Sequence, residues 1–380
     1  MRIAIPVNKA YTRMGSGDYT SFYYILKYLS EKDRLNEYRI YFNDDPSEFR
    51  EFERSGFEYV SLYKKGFIHD RLINRYEVWQ NTTLRTRIKK DSPDVSFFID
   101  AKMPVSLKSP SVARIQDLAF FNFPDHFKPK DNFRLRHNLK NCVKHSHVLI
   151  AISHNTKKDI LERFDIPESK IHVVENGKSP IFVRIKDRGK IKSTLNKYGI
   201  PDKYILHVGV LQKRKNIPNL IRAFFELKNR RDIDHKLVLV GSRGWLYSDI
   251  FDITDKYDPE RKNVIFLDFV SEDELVHIYN GADVFAFPSL YEGFGIPIIE
   301  AMACGTPVVS SSASCMPEVG RDAAIYFDPC DVDDMADKIY SVISDKNLRK
   351  IHVERGLKRS MAYDWGKTAS GIIDVIKKSF

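Results

Sequence analysis

Cysteine is scarce in this 380-residue chain, which holds four, at positions 142, 304, 315 and 330. No two of them form a C-x-x-C pair, and no histidine cluster falls at zinc-ligand spacing. A disulfide framework and a sequence-encoded zinc site are therefore excluded. Reduced, mostly buried thiols in a cytoplasmic protein are expected. Long apolar runs are missing too. Nothing approaches the ~18 uncharged residues of a membrane span, and the apolar opening Met1–Val7 is too short and too soon interrupted to be a signal-peptide core. There is no low-complexity tract and no repeat with a period of about 20–50 residues, which excludes a solenoid.

What is present is ordinary globular composition, with 43% hydrophobic and 29% charged residues. A chain of this length holds about two domains. Charge is unevenly spread. Residues 1–200 carry 37 Lys and Arg against 24 Asp and Glu, a surplus of 13, whereas residues 201–380 carry 24 against 27. The halves therefore face different partners, and the basic first half suits an anionic membrane, an anionic acceptor or a nucleic acid.

Arg2–Val7 reads as a buried strand. Met14-Gly-Ser-Gly-Asp18 comes next as a glycine turn, and 22–29 has helical character. Strand, glycine turn and helix open a doubly wound α/β domain. Further strands are expected at 38–42, 95–99, 112–115, 148–152 and 171–174, with helices at 132–144 and 155–164. Lys178–Lys192 is rich in Lys, Arg, Pro and Gly without a clear period, and reads as a linker. The pattern then restarts, with strands at 204–208, 236–240, 264–267, 284–288 and 307–310 and helices at 219–228, 273–279 and 298–303. Alternating strands and helices imply a parallel sheet covered on both faces. The expected fold is α/β with two doubly wound Rossmann-like domains facing across a cleft: residues 1–185, then 186–361, with a C-terminal helix in 362–380 crossing back to the first domain.

One run carries the chemistry. A strand ends near Pro288, a loop holds Glu292, Gly293 and Gly295, and a helix starts at Pro297, a residue favoured in a first helical turn. A loop at a helix N-terminus and at the carboxyl end of a parallel strand accepts anions through unpaired N–H groups. Glu292 and Glu300 address different parts of one extended ligand, because carboxylates accept from ribose and sugar hydroxyls. A helix cap with two solvated glutamates is the plainer alternative. Arg214 and Lys215, after the strand at 204–208, form a cationic pair suited to a diphosphate.

Glu292-Gly-Phe-Gly-Ile-Pro-Ile-Ile-Glu300, preceded by Pro-Ser-Leu-Tyr and followed by Ala-Met-Ala-Cys-Gly-Thr-Pro-Val-Val, resembles the signature of glycosyltransferase family 4. The likeness continues through Ser314-Cys-Met-Pro-Glu-Val319 and Phe327-Asp-Pro329. The resemblance implies the GT-B fold, a retaining transfer from a nucleotide sugar, and no metal and no cofactor beyond that co-substrate. It assigns the donor diphosphate to Arg214 and Lys215, and further donor contacts to Gly15, Gly17, Gly293, Phe294, Gly295, Ile296 and Glu300. It also implies that the loop with Phe269 and Val270 meets the nucleobase through its backbone. Gln212-Lys213 replaces the family's usual acid-proline pair. Arg114-Ile-Gln-Asp-Leu-Ala-Phe resembles a segment that usually carries His-Asp. Here Gln116 stands in the histidine's place beside Asp117, and it can donate to a sugar oxygen but cannot take a proton. With Glu292, these two are the expected catalytic residues.

Mannose from GDP-mannose is the favoured donor, from the Arg-Lys-Asn and Gln-Asp-Leu-Ala-Phe stretches, with UDP- and dTDP-sugars (glucose, N-acetylglucosamine, rhamnose) as alternatives. A glycan or lipid-linked acceptor is the expected partner. Lys128, Lys130, Arg134, Arg136, Lys140 and Lys144 surround an expected helix, which suits peripheral attachment to the cytoplasmic face of an anionic membrane; an amphipathic helix packed on its own domain is the alternative. Two other classes stay open. One is a sugar-nucleotide epimerase, which would need no acceptor. The other is a non-enzymatic membrane or nucleic-acid binder, which would leave the donor-site set unexplained and for which no aromatic-basic motif is present.

Overall fold

The computed structural model describes residues 1–7, 17–43, 47–54, 56–63, 76–105, 107, 109–244 and 247–380. The chain divides into two compact units. The first comprises Met1–Phe121, Lys128–Gly177 and Trp365–Phe380; the second comprises Asn122–Phe127 and Lys178–Asp364.

The first unit is built on β1 (Arg2–Val7), β2 (Glu37–Phe42), β3 (Phe57–Ser61), β4 (Val95–Phe98), β5 (Ser111–Ile115), β6 (Val148–Ala151) and β7 (Ile171–Val173). They form one sheet in the order β3-β2-β1-β4-β5-β6-β7, and every pairing is parallel. β4, β5 and β6 are buried along their whole length, as a sheet covered on both faces requires. Helix Pro129–His145 precedes β6, and helix His154–Arg163 succeeds it. The hydroxyl of Ser153 accepts from the Thr156 N–H and so caps the latter helix.

The second unit repeats the plan with β8 (Tyr204–Val208), β9 (Lys236–Val240), β10 (Val264–Leu267), β11 (Val284–Phe287), β12 (Val308–Ser311) and β13 (Ala324–Phe327). Their order is β10-β9-β8-β11-β12-β13, all parallel. Alternate strand residues split between the faces. Ile205, Leu237, Leu239, Val284, Ala286 and Val309 join one core with Leu220, Ile221 and Phe224 of helix Ile217–Arg231 and with Met335, Ile339 and Val342 of helix Val332–Ser344. On the other set of positions Phe285 meets Tyr279 of helix Glu272–Gly281, with ring centroids 5.5 Å apart.

The stretch 178–192 is not a free linker. The units part between Gly177 and Lys178 rather than near residue 185, and the stretch packs within the second unit. Phe182 is buried edge-on against Tyr279. The Ile185 N–H donates to Asn280 Oδ1 at 2.7 Å. Asp187 caps the helix Arg188–Lys197, which buries Ile191 and Leu195. Three apolar side chains among many charges suffice to anchor it.

Trp365 opens the C-terminal helix Trp365–Ser379, which packs on helix Gly17–Lys32. Its indole is fully buried and lies parallel to the Tyr24 ring at 6.0 Å. Thr368 Oγ1 donates to the Glu175 carbonyl at 2.8 Å, so the last helix is a structural part of the first unit. Trp365→Ala is expected to lower stability by about 3–5 kcal/mol, read by urea denaturation of the full chain.

Candidate functional site

In a doubly wound sheet the strand order reverses at one point, and a crevice opens beyond the carboxyl ends of the two strands there. In the second unit those strands are β8 and β11. The loops after them carry Arg214 and Lys215 on one side and Glu292 on the other, 77 residues on from Lys215.

Glycines let the loop after β8 lie tight against its neighbour. Gly209 N donates to Val240 O, and Leu211 N to Ser242 O, both at 2.9 Å. Gly241 has φ +150°, and a Cβ there would sit 2.1 Å from the Gly209 carbonyl oxygen. Only glycine fits such a backbone approach. The chain then makes a short turn over Lys213–Lys215, and Asn216 takes a left-handed conformation. The Asn216 amide donates to the carbonyls of Pro288 (3.2 Å) and Pro329 (2.7 Å). Helix Ile217–Arg231 starts there with a proline in its first turn.

The loop after β11 runs from Pro288 to Gly295. Gly295, with φ +99°, precedes helix Ile296–Ala303. The Leu290 N–H donates to the Arg214 carbonyl at 3.0 Å, and the Arg214 guanidinium donates to the Tyr291 carbonyl. Between these loops lies a buried ion triad. Glu292 Oε1 accepts from Lys215 Nζ at 2.7 Å, and Glu292 Oε2 lies 2.9 Å from Arg214 Nη1. All three side chains are almost wholly out of solvent. Burial pushes the Glu292 carboxyl up, but Arg214 and Lys215 outweigh it and hold it down at about 2. Two cations and one anion leave a net charge of +1 at the crevice. The cationic pair expected beside the Glu292 loop is engaged by the Glu292 carboxylate itself, because β8 and β11 are neighbours.

His207, in β8, is fully buried beneath this loop. Its Nδ1 lies 3.1 Å from the Ala286 carbonyl, which can only accept, so Nδ1 carries the proton. Burial, with Lys215 nearby, lowers it to about 4 and keeps the imidazole neutral. Lys215 Nζ sits 5.3 Å over the Phe287 ring.

Glu300 lies one turn into helix Ile296–Ala303 and accepts from the Tyr279 hydroxyl at 3.1 Å. Burial and the charge of Glu272 raise it to about 8, so at neutral pH it holds its proton and can donate as well as accept. Phe294 is buried, edge-on to Tyr363. Phe269, beyond β10, is 62% exposed, while Val270 is buried. The loop carrying them stands at a strand's carboxyl end, two strands from the crevice.

The remaining expected residues fall in the first unit. Gly15 lies outside the described residues, and Gly17 begins helix Gly17–Lys32. Gln116 and Asp117 come directly after β5. The Gln116 Nε2 is buried with no partner, and Asp117 Oδ1 accepts from the Ala119 N–H at 3.0 Å, which caps a short helical turn. Of the cysteines, 142, 304 and 315 are buried and Cys330 is exposed.

Sequence reasoning assigns no role to several residues at the crevice. His126 belongs to the short segment that clusters with the second unit; burial and the charges of Lys213 and Arg214 lower its pKa. Phe123 lies 6.1 Å from the Tyr291 ring. Ser314 and Cys315, after β12, bond the Glu292 loop. The Ser314 hydroxyl donates to the Glu292 carbonyl at 2.7 Å, and Cys315 Sγ lies 3.1 Å from the same oxygen. Ser314 is left-handed at φ +54°, which costs a non-glycine residue about 1–2 kcal/mol. No local pattern announces these contacts.

The folded state keeps a proton on Glu300 that the unfolded chain releases above pH ~4.5. Stability therefore falls as pH rises from about 4.5 to about 8. Glu300→Gln is expected to remove that decline, a difference of up to about 4 kcal/mol at pH 8, measured by urea denaturation across this range.

Residues 190–359 match the family described as "Glycosyl transferases group 1", and residues 20–179 match "Glycosyltransferase Family 4". The chain is 29% identical over 269 residues to O-antigen chain mannosyltransferase B of Escherichia coli, covering 70% of each protein. It is 30% identical over 230 residues to the serotype-specific mannosyltransferase WbdA of Escherichia coli, covering 60% of this chain and 28% of that larger protein. Among solved structures, HepE of Anabaena in complex with UDP-glucose superposes with a TM-score of 0.77 at 16% identity over all of both chains. WaaG, a glycosyltransferase involved in lipopolysaccharide biosynthesis, does so with a TM-score of 0.75 at 17% identity, over 98% of this chain and 99% of that one. With two Rossmann-like sheets and these matches, the chain belongs to glycosyltransferase family 4 and has the GT-B fold.

Proposed function

We propose that this enzyme transfers a sugar, mannose from GDP-mannose foremost, to a hydroxyl of a glycan or lipid-linked acceptor, with retention of anomeric configuration and without a metal. The observation that carries the reading is the net-positive triad of Arg214, Lys215 and Glu292 at the switch point beside the start of helix Ile296–Ala303. Backbone N–H groups at that helix start and the two cations favour a diphosphate. Family membership supports sugar transfer, and the mannosyltransferases among its relatives support the donor and a polysaccharide product.

On this reading the diphosphate draws Arg214 and Lys215 toward its oxygens, and the Glu292 carboxylate turns to the sugar hydroxyls. The acceptor hydroxyl attacks the anomeric carbon on the face from which the diphosphate leaves. The C–O bond to the diphosphate breaks, a new one forms to the acceptor oxygen, and the departing phosphate takes the acceptor's proton. No side-chain base is needed, so Gln116 keeps a positioning role. Stabilising the charge that grows on the leaving group is the main catalytic term. Glu300 and the backbone at Phe269 and Val270 serve the nucleoside.

Thermal unfolding with a panel of GDP-, UDP- and dTDP-sugars tests this. GDP-mannose at about a hundredfold excess over its Kd is expected to raise Tm by about 5 °C or more, and Arg214→Ala is expected to abolish the rise. No shift with any nucleotide sugar would remove the reading.

The same proposal places the enzyme on an anionic membrane surface. Among the described residues no helix is long and apolar enough to span a membrane. Helix Pro129–His145 nevertheless exposes Lys130, Arg134, Lys140 and Lys144, with Lys128 just before it, and its Phe133 is 75% exposed. Arg136 does not join them, since it donates to the Phe120 carbonyl and covers the Phe121 ring. Cosedimentation with phosphatidylglycerol vesicles is expected in low salt and lost in high salt. Phe133→Ala with Lys140→Glu should weaken it about tenfold; equal binding to phosphatidylcholine vesicles would contradict the proposal.

A further inference from the structure

The loop after β11 lies between the loops of its two sheet neighbours, β8 and β12. From the β8 side it is held by Arg214, through a backbone bond to Leu290 and a guanidinium bond to Tyr291. From the β12 side it is held by Ser314 and Cys315. Ser314 Oγ donates to the Glu292 carbonyl at 2.7 Å and lies 3.4 Å from the Glu292 N–H. The Cys315 thiol lies 3.1 Å from the Glu292 carbonyl and 3.0 Å from the Phe294 carbonyl. Both polar groups of the Glu292 backbone are therefore in the hands of two consecutive side chains.

We infer that Ser314 and Cys315 are positioning residues for the transfer reaction, fixing the Glu292 backbone so that its carboxylate is seated against Arg214 and Lys215 before the donor binds and reaches the sugar hydroxyls once it has. The inference rests on the proposed function only for its kinetic consequences.

Two features argue against mere packing. Ser314 has the left-handed backbone that glycine adopts without strain. A serine there is strained, and what it brings in return is the hydroxyl that grips Glu292. Cys315 is fully buried, and burial, with Glu292 and Glu318 nearby, raises its thiol so that it keeps the proton it donates. A thiol has one proton for two carbonyls, so it bridges the turn at Glu292 and Phe294 rather than bonding one of them rigidly. A carboxylate's work depends on placement, and a displacement of about 1 Å at a reacting centre costs up to about a hundredfold in rate.

Ser314→Gly separates the possibilities, because it relieves the backbone and deletes the grip. It is expected to leave Tm equal or higher while kcat falls about tenfold or more and donor KM stays within about threefold. Cys315→Ala is expected to lower kcat likewise, and Cys315→Ser, which retains a donor, to restore at least about half of it. Crystal structures of wild type and Ser314→Gly supply a readout free of any substrate: the Glu292 carboxylate is expected to leave its places 2.7 Å from Lys215 and 2.9 Å from Arg214. Wild-type kcat in Ser314→Gly, or an unmoved carboxylate in its crystal structure, would overturn the inference. If the carboxylate moves but the wild type transfers no sugar from any nucleotide donor, the positioning role stands and the proposed function falls.

Discussion

A buried carboxylate cannot stay charged without partners, and this constraint organises the second unit. Removing an ion from water costs several kcal/mol, and only close, well-aligned counter-charges offset it. Glu292 meets the requirement with two cations from the neighbouring loop. In doing so it joins the loops after β8 and β11 and fixes the distance between them. It also sets the sign of the crevice, since one cationic charge is left over. A lone buried arginine-lysine pair would repel itself, and a lone buried glutamate would protonate. Together they keep all three charges buried and ionised.

The two acids of the signature run sit in opposite electrostatic settings. Glu292 is held ionised by adjacent cations, whereas Glu300, eight residues on, is driven neutral by burial and by Glu272. One sequence motif therefore carries a buried negative charge and a buried proton-bearing carboxyl group. Their difference arises from burial and from neighbours supplied by the loop after β8 and by helix Glu272–Gly281, not from the motif itself.

That distinction also marks how far the sequence is legible. Strands such as 204–208 and 236–240 are readable because short, mostly apolar runs end in glycine-bearing loops. The site loops are readable because Glu292, Arg214 and Lys215 stand in the loops after such strands. The edge strand β3 escapes notice: only its first residue is buried, so it lacks the apolar run that betrays a central strand. Helix Val332–Ser344 escapes it too, because its start is a cluster of aspartates, two of whose N–H groups Asp331 caps. The segment 178–192 looks like a linker because its anchors Phe182 and Ile185 act through residues about 95 positions away. The triad and the Ser314–Cys315 grip depend on which strands lie side by side. That information resides in sheet order and not in any local window.

The placement of helix Trp365–Ser379 in the first unit bears on how the protein is made. The first unit's chain is interrupted by the whole of 178–364 before its last helix is available. At about 5–20 residues per second, a ribosome needs roughly 10–40 s to cover that interval. During that time the face of helix Gly17–Lys32 that receives Trp365 has nothing to bury it. The second unit, nearly continuous in sequence, can close as soon as it emerges, whereas the first waits for residues 365–380. Order of synthesis and order of completion are thus inverted, and the basic, N-terminal half is the part most dependent on chaperone shielding while the polypeptide is still being extended.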